Sequence, residues 1–182
     1  MLNSDCIISL TLPKTHDSVI ATLGIKNVAV GSLIKKTLFP YRVEPRFLRK
    51  IINRAASVRN DKTKIHQGPK AIHKNIFEIY KKIKPDISVI DAFQGMEGNG
   101  PVSGIPVKMN LAIASANALA ADIVATKLIG LEPENIGYLY YCMKYEKFNL
   151  DKIRVIGNTS IKKEKRKFKM HVTFPNQVNW RC

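Results

Sequence analysis

The chain has 182 residues, 45% of them hydrophobic and 24% charged, which is the composition of a folded domain and excludes wholesale disorder. Its three cysteines are far apart and form no CxxC pair, which argues against a self-contained zinc or iron–sulfur site and a disulfide framework and favours a reducing cytoplasm. The net charge is +16, and two segments hold the excess: residues 35–84 carry +12 and residues 162–169 carry +5.

The first half of the chain begins with a predicted strand and ends with a predicted helix. The β-branched stretch CIISLTLP is typical of a strand that Pro13 ends. Residues 40–68 contain many charges, and within them RFLRKIINR has the pattern of a short amphipathic helix in an insertion. A longer helix is predicted between Pro69 and Pro85, because isoleucines recur there at helical spacing. These isoleucines are Ile72, Ile76, Ile79 and Ile83.

The second half alternates strands and helices. DISVIDA is predicted to be a short buried strand, followed by a glycine-rich loop, a strand in VKMNLAIAS and a helix that Ser115 caps and Gly130 ends. Polar residues interrupt this apolar region, which argues against a membrane span. Another helix, a strand in KIRVIG and an edge strand in KFKMHVTF are expected after it. The pattern predicts a single α/β domain over residues 1–160, with a mixed or mostly parallel sheet and flanking helices, and a basic tail or edge strand over residues 161–182.

The glycine-rich loop lies in SVIDAFQGMEGNGPVSGIPVK, residues 88–108. Its hydrophobic run ends at Asp91, so this carboxylate is expected at the carboxyl end of a strand, where ligand crevices form in open α/β sheets. The spacing GNGPVSG does not match a dinucleotide-binding loop, and no GK[ST] follows. We expect Asp91 and Glu97 to bind a cation or to act as acid and base; alternatively, the loop only shapes a long connection. The loop residues expected to contact a ligand are Gly95, Gly98, Asn99 and Gly100.

Three more charged residues are candidates on chemical grounds. Lys14 and His16 follow the first strand, in a loop that opens on the same sheet edge if the sheet is parallel. A lysine there would fix a substrate carboxylate or phosphate, and a histidine would shuttle a proton or bind metal. Asp122 lies within the apolar stretch ALAADIVA, so it is expected to pair with Lys108 or Lys26, and Asp122 and Lys108 are also expected to line the ligand-binding pocket.

Most of the chain resembles a known family. KPDISVIDAFQGMEGNGPVSGIPVKMNLAIAS, followed by AADIVATKLIGLEPENIGYL, is similar to the domain-of-unknown-function 362 family, common in archaea and anaerobic bacteria. The earlier stretches ISLTLPKTH and LGIKNVAVG resemble two further elements of that family, and the resemblance covers roughly residues 5–158. Many members carry a segment before the first strand and are fused to, or work beside, ferredoxin-type iron–sulfur modules. Here Met1 nearly abuts the first strand, and the corresponding cysteines are missing.

The resemblance implies a site and a class of chemistry. Lys26 and Asn27, in the second matched element, would line the same pocket as the loop. The implied function is a glycine-rich, carboxylate-lined pocket that binds a small anionic ligand or a metal, in redox-linked chemistry beside a ferredoxin-like iron–sulfur partner. The candidate metal ligands are Asp91, Glu97 and His16. No iron–sulfur cluster is expected within this chain, and neither a cofactor nor a catalysed reaction is identified.

The rival hypothesis is a nucleic-acid-binding protein. The sequence pI is near 9.9, and the two basic segments, residues 35–84 and 162–169, are typical of a surface that contacts phosphates. The chain nevertheless has no RNP aromatics, no GxxG of the KH type and no zinc finger. A basic surface would serve equally to dock an acidic ferredoxin-like partner.

Overall fold

The computed structural model describes residues 3–33 and 61–181, and the amphipathic helix predicted in RFLRKIINR lies outside them. Five strands form one sheet, as predicted for a single α/β domain. The strands are β1 (Ile8–Thr11), β2 (Lys14–His16), β3 (Ile20–Thr22), β4 (Ile87–Glu97) and β5 (Ile105–Ser115).

Strand β4 is the centre of the sheet. β1 runs parallel to its first half, with Ile8 beside Ile87, and β2 runs parallel to its end, with Lys14 beside Met96. β5 pairs antiparallel with β4, and β3 pairs antiparallel with β2. The sheet is therefore mixed, as expected.

The described part of the chain has seven α-helices and three short 3₁₀ turns. The helices are α1 (Gly24–Gly31), α2 (Asp61–Lys64), α3 (Pro69–Lys82), α4 (Ala118–Leu128), α5 (Gly137–Tyr145), α6 (Ile161–Glu164) and α7 (Phe174–Gln177). The 3₁₀ turns are Pro133–Asn135, Leu150–Lys152 and Val178–Arg181. No helix among the described residues is both long and apolar enough to cross a membrane.

Local sequence explains the two best-predicted helices. In α3, Pro69 occupies the first turn and the buried face carries Ile72 and Ile76, which is the amphipathic pattern of a helix with one buried face, and this helix packs against α1 and α5. In α4 the N-cap is Asn117 rather than the predicted Ser115, because the Asn117 side chain accepts a hydrogen bond from the amide of Ala120.

Strand β4 is longer than the sequence indicated. The predicted strand DISVIDA ended at Ala92, but β4 continues to Glu97 and forms a long hairpin with β5, with a register shift between Ala92 and Gln94. Ser88, Ile90 and Ala92 face the core at every second position, which is the alternation of an extended strand. The strand then continues through Gly95. Asp91 therefore lies in the middle of a strand, paired with Ala112, and the expectation that it marks a strand end is wrong.

The C-terminal segment packs on the sheet and helices without forming the expected edge strand. KIRVIG is likewise not a strand, and β5 is the last strand in the described part of the chain. Backbone hydrogen bonds join Arg166 and Phe168 to the end of α4. The Phe168 side chain is 3% exposed and that of Trp180 2% exposed, so this segment contributes to the core.

Candidate functional site

Strand β2 and helix α1 bring Lys14, His16 and Lys26 together, and these three residues are called the lysine–histidine cluster below. The Nζ atom of Lys26 lies 3.0 Å from Nε2 of His16. On the other side of the ring, Nδ1 of His16 lies 2.8 Å from Oδ1 of Asp17. Lys14 and His16 are two residues apart on β2, a spacing that places side chains on the same side of a strand. They were predicted in a loop, but they lie on this short strand.

A tight reversal between β2 and β3 creates this arrangement. His16 pairs with Ile20 across the two strands, and Ile20 has a positive φ of 68°, which is uncommon for a β-branched residue. β3 then leads directly into α1, whose first turns place Lys26 over His16. Asn27, expected to line the pocket, instead donates from Nδ2 to the carbonyl of Leu10 at 3.1 Å and ties α1 to the end of β1.

The cluster is buried and positively charged. His16 is 5% exposed and Lys26 is 8% exposed. Burial, and then the charge of Lys14, lower the pKa of Lys26 to about 8. Burial, and then the charge of Lys26, lower the pKa of His16 to about 3, so the imidazole is neutral at physiological pH.

The two ring nitrogens of His16 face different partners. Nε2 lies 3.0 Å from Nζ of Lys26. Nδ1 accepts a hydrogen bond from the amide of Ser18 at 3.1 Å and also lies 2.8 Å from Oδ1 of Asp17, which is half exposed. The imidazole is therefore held by the backbone of its own turn on one side and by Lys26 on the other.

The C-terminal segment holds the cluster in place. Nε2 of Gln177 donates to the carbonyl of His16 at 2.9 Å, and Oε1 of Gln177 accepts a short hydrogen bond from the amide of Ile20. Thr173 adds a hydrogen bond from its hydroxyl to the carbonyl of Asp17 at 2.7 Å. Both ends of the turn that carries His16 are therefore fixed by α7 and the residue before it.

The glycine-rich loop packs against protein rather than lining an open pocket. A Cβ atom on Gly100 would lie 2.2 Å from the carbonyl oxygen of Thr15, and one on Gly95 would lie 2.7 Å from the Phe168 ring. The amide of Gly98 donates to the carbonyl of Lys169 at 2.8 Å. The loop therefore lies close to β2 and to the C-terminal segment at its glycines, where a side chain would not fit. Asn99, between Gly98 and Gly100 in sequence, is exposed.

We expect Gly100→Ala to lower the free energy of unfolding by about 2 kcal/mol, because the added methyl group meets the rigid backbone of β2. Chemical denaturation measures this loss. The matched control is Gly157→Ala, since a Cβ atom there would have no neighbour within 4 Å. Equal stability of both variants would contradict the packing role of the loop.

Each of the two loop carboxylates accepts a hydrogen bond from the backbone. Oε2 of Glu97 accepts a hydrogen bond from the amide of Lys169 at 2.9 Å, so this side chain anchors the C-terminal segment. Oδ1 of Asp91 accepts from the amide of Phe93 at 2.9 Å, on the exposed side of β4. Among the described residues, no group of three or more His, Cys, Asp or Glu side chains is placed to hold a metal ion. The acid–base and metal roles of Asp91 and Glu97 therefore stay predictions, without a supporting cluster in the described residues.

Asp122 pairs with backbone amides rather than with any lysine that the structure describes. Its carboxylate is fully buried and accepts hydrogen bonds from the amides of Gly24 at 2.8 Å and Ile25 at 3.0 Å, at the N-terminus of α1. Burial raises the pKa of Asp122 to about 7, and the two backbone hydrogen bonds oppose that rise. Lys108 is exposed, with Nζ 5.9 Å from the centre of the Phe93 ring. The expected pairs of Asp122 with Lys108 or Lys26 are thus wrong, because free amides at a helix start satisfy the carboxylate.

Two of the cavities in the described part of the structure bear on the candidate site and its surroundings. One, of about 280 Å³, borders Asp17 and Ser18 and reaches His66 and Gln177, so it adjoins the Asp17 side of the cluster. The other, of about 440 Å³, lies between β5, α4 and residues 153–161. Sequence reasoning missed Asp17 and Gln177 as neighbours of the cluster. Asp17 directly follows the candidate His16 in sequence, whereas Gln177 lies 161 residues from it and leaves no local signal.

The fold and the comparisons with known proteins agree on the class of protein. The structure is an α/β domain with a mixed sheet, and the family model "Domain of unknown function (DUF362)" matches residues 1–127, so the chain belongs to this family. It is also similar to "Thylakoid-associated protein sll1697" of Synechocystis sp. (strain ATCC 27184 / PCC 6803 / Kazusa), with 29% identity over 135 residues. The match covers 74% of this chain and 36% of that protein, so the chain spans about a third of the relative's length. No solved structure matches this chain.

Proposed function

We propose that this protein binds a small anionic ligand, through its carboxylate or phosphate group, at the lysine–histidine cluster of Lys14, His16 and Lys26. The observation that carries this proposal is the buried ammonium of Lys26. Its hydrogen-bonding contact among the described residues is a neutral imidazole, and no described carboxylate lies within 4.0 Å of it. The proposed site is centred on β2 and α1, whereas the sequence predicted a site centred on Asp91 and Glu97.

Among the described residues, the charges around Lys26 are predominantly positive. A buried ammonium is costly unless an anion compensates it. Within the described part of the chain, the charges of Lys14 and Lys62 lower the pKa of Lys26, and the charge of Asp17 raises it. A ligand carboxylate or phosphate at this position would add the missing negative charge and accept hydrogen bonds from both lysines of the cluster.

The glycine-rich loop has an indirect part in this proposal. Oγ1 of Thr15 donates to the carbonyl of Gly98 at 2.8 Å, and the close approach of Gly100 supports the backbone of the same residue. Thr15 lies between Lys14 and His16 on β2. The loop therefore fixes the strand that presents both side chains, and it does not need to contact the ligand.

Lys26→Met is the direct test of ligand binding. We expect it to weaken binding of inorganic phosphate and of oxalate at least about tenfold, because it removes a charge-assisted hydrogen bond from a site with little water. Isothermal titration calorimetry at low ionic strength measures the affinity. The control is Lys108→Met, which removes a lysine of equal charge from the exposed side of β5.

An equal loss of affinity in Lys26→Met and Lys108→Met would show that the change in net charge alone weakens binding, which would contradict a site at the cluster. Binding that both variants retain in full would contradict it as well. Thermal melting of each variant confirms that the fold is intact, because a methionine in place of Lys26 keeps a long unbranched side chain.

The finer expectations from the sequence stay predictions. Redox-linked chemistry and a ferredoxin-like iron–sulfur partner are properties that the family resemblance implies, and the cluster fits an anionic substrate of such chemistry without identifying it. The rival, nucleic-acid binding, is favoured by the exposed basic side chains of residues 162–169, which flank the buried Phe168. A cytoplasmic location is predicted from the cysteines, although the cyanobacterial relative is named for association with thylakoids.

A further inference from the structure

We propose that the cavity between β5, α4 and residues 153–161 is a peptide-binding groove, in which an extended acidic segment of a partner protein adds a strand to the outer edge of β5. This cavity is called the β5 groove below. It is separate from the lysine–histidine cluster, so the inference goes beyond the proposed anion site. Its structural basis is the position of the groove along a sheet edge, with an apolar floor and a basic rim.

The β5 groove follows the edge of the strand rather than one of its faces. Successive side chains of a strand point to opposite faces of a sheet, yet all six residues from Asn110 to Ser115 line the groove. A space that borders every residue of a strand lies beside that strand. These residues span about 17 Å, so an extended peptide of similar length fits alongside them.

The backbone groups at this edge have no strand partner among the described residues. β5 pairs with β4 along its other edge. Residues 154–157 line the groove as well, and no backbone hydrogen bond joins them to β5 in the part of the chain that the structure describes. A row of unpaired N–H and C=O groups is a template for a further strand, because an extended peptide supplies the matching acceptors and donors.

The floor of the β5 groove is apolar. The aliphatic side chains that line it and are buried or half-buried are Leu111, Ile113, Val124, Leu128 and Ile161. The groove has a volume of about 440 Å³, which is within the usual range of ligand sites. Because the side chains of an extended peptide alternate, every second one lies on this floor. We therefore expect small aliphatic residues, such as valine, at alternate positions of the bound segment.

The charge around the β5 groove favours an acidic occupant. The basic side chains in or next to its lining are Lys152, Arg154, Lys162 and Lys163, and the acidic ones are Asp151 and Glu164. The carboxylate of Glu164 already accepts a hydrogen bond from the hydroxyl of Thr159 at 2.7 Å. The four basic side chains are exposed, so they attract a negatively charged segment and repel a basic one.

Fluorescence anisotropy tests the groove with a labelled peptide in which valine alternates with glutamate. We expect saturable binding to the full chain. The matched control peptide is N-methylated at its central residues, which keeps its charge and side chains but removes backbone donors, and we expect it to bind at least about tenfold more weakly. Equal affinity of the two peptides would overturn strand addition, and no binding of either would overturn the peptide site.

Hydrogen exchange measured by mass spectrometry locates the bound peptide. Amides that become paired with a new strand are protected from exchange, so exchange in residues 110–115 is expected to slow at least about tenfold when the valine–glutamate peptide binds. The control region is β1, which lies on the opposite side of β4 and should exchange at an unchanged rate. Unchanged exchange in residues 110–115 despite binding would place the peptide elsewhere and overturn the proposal.

Two variants with the same change of charge separate the groove from net charge. Arg154→Glu is expected to weaken peptide binding at least about tenfold, because Arg154 lines the groove. Lys82→Glu, on the exposed side of α3, is expected to weaken it less than about threefold. Equal losses in these two variants would show that net charge alone attracts the peptide, which would overturn the groove as its site.

A packing variant tests the shape of the β5 groove. Ala120 is half-buried and lines the groove, so Ala120→Leu fills part of it and should weaken peptide binding at least about tenfold. Circular dichroism confirms that this variant folds, and Arg154→Glu serves as the test if it does not. Sedimentation velocity identifies the competing occupant: self-association of the chain that Ala120→Leu abolishes would assign the groove to a second copy and overturn the peptide.

Discussion

Asp122→Ala is expected to lower the free energy of unfolding by about 3 kcal/mol, the cost of leaving two buried amides without an acceptor. The Asp122 carboxylate reaches from α4 to the amides of Gly24 and Ile25, and it is the contact that satisfies both at the start of α1. Because α1 carries Lys26, the same substitution should also weaken anion binding. Urea denaturation monitored by circular dichroism gives the stability change.

The pH dependence of Asp122→Asn distinguishes a buried carboxylate from a surface one. Burial raises the pKa of Asp122 to about 7 from 3.8. Between these values the folded state holds a proton that the unfolded state has released, so the contribution of Asp122 to stability falls as pH rises through this window. The stability lost in Asp122→Asn should therefore shrink between about pH 4 and about pH 7. A loss that is constant across this range would contradict the raised pKa.

Removal of residues 162–182 is expected to abolish cooperative folding. The segment buries Phe168 and Trp180, and replacing one such aromatic side chain by alanine typically costs about 3–5 kcal/mol, a large part of the stability of a domain. Loss of Gln177 would in addition free the turn that carries His16. Thermal melting followed by circular dichroism tests this.

A charge variant separates packing from electrostatics in the same segment. Lys162, Lys163 and Lys165 are exposed, so their joint replacement by serine should change stability by less than about 1 kcal/mol. The same variant should weaken any nucleic-acid binding and reduce its salt dependence. A truncated chain that still melts cooperatively would show that residues 161–182 form the separate tail that the sequence indicated.

The elements that periodicity predicts well are those with one buried face. In α3, the spacing of the isoleucines gives the type of element and nearly its bounds, because burial on one side imposes it. In β1, by contrast, Ser9 and Thr11 are buried whereas Ile8 and Leu10 are exposed, so β-branched composition rather than apolar spacing indicated the strand. The end of β4 was not predictable in this way. Glycine and exposed polar residues there resemble a loop, and the pairing of this end with β5 and β2, together with the close approach of Gly95 to Phe168, keeps the strand extended.

The candidate site was predictable in its residues but not in its geometry. Lys14, His16 and Lys26 were singled out by their chemistry and by the family resemblance, and the structure places them together. Their contact depends on a turn at Ile20 with a positive φ, where the sequence offers neither glycine nor asparagine as a signal. Glu97 was a candidate because it is a carboxylate among glycines. Its hydrogen bond with the amide of Lys169 joins residues 72 positions apart, which no local sequence pattern predicts.

The most direct test of the anion site is an NMR pH titration of Lys26 in protein carrying ¹³C-labelled lysine, with and without inorganic phosphate, using Lys26→Arg to assign its signal. We expect a pKa of about 8 for Lys26 in the free protein, because burial and Lys14 disfavour its charge. Saturation with phosphate should raise that pKa by at least about one unit, since a bound anion favours the ammonium. Identical titration curves with and without phosphate would contradict an anion site at this cluster, and a free-protein value near 10.5 would contradict the buried, uncompensated charge on which it rests.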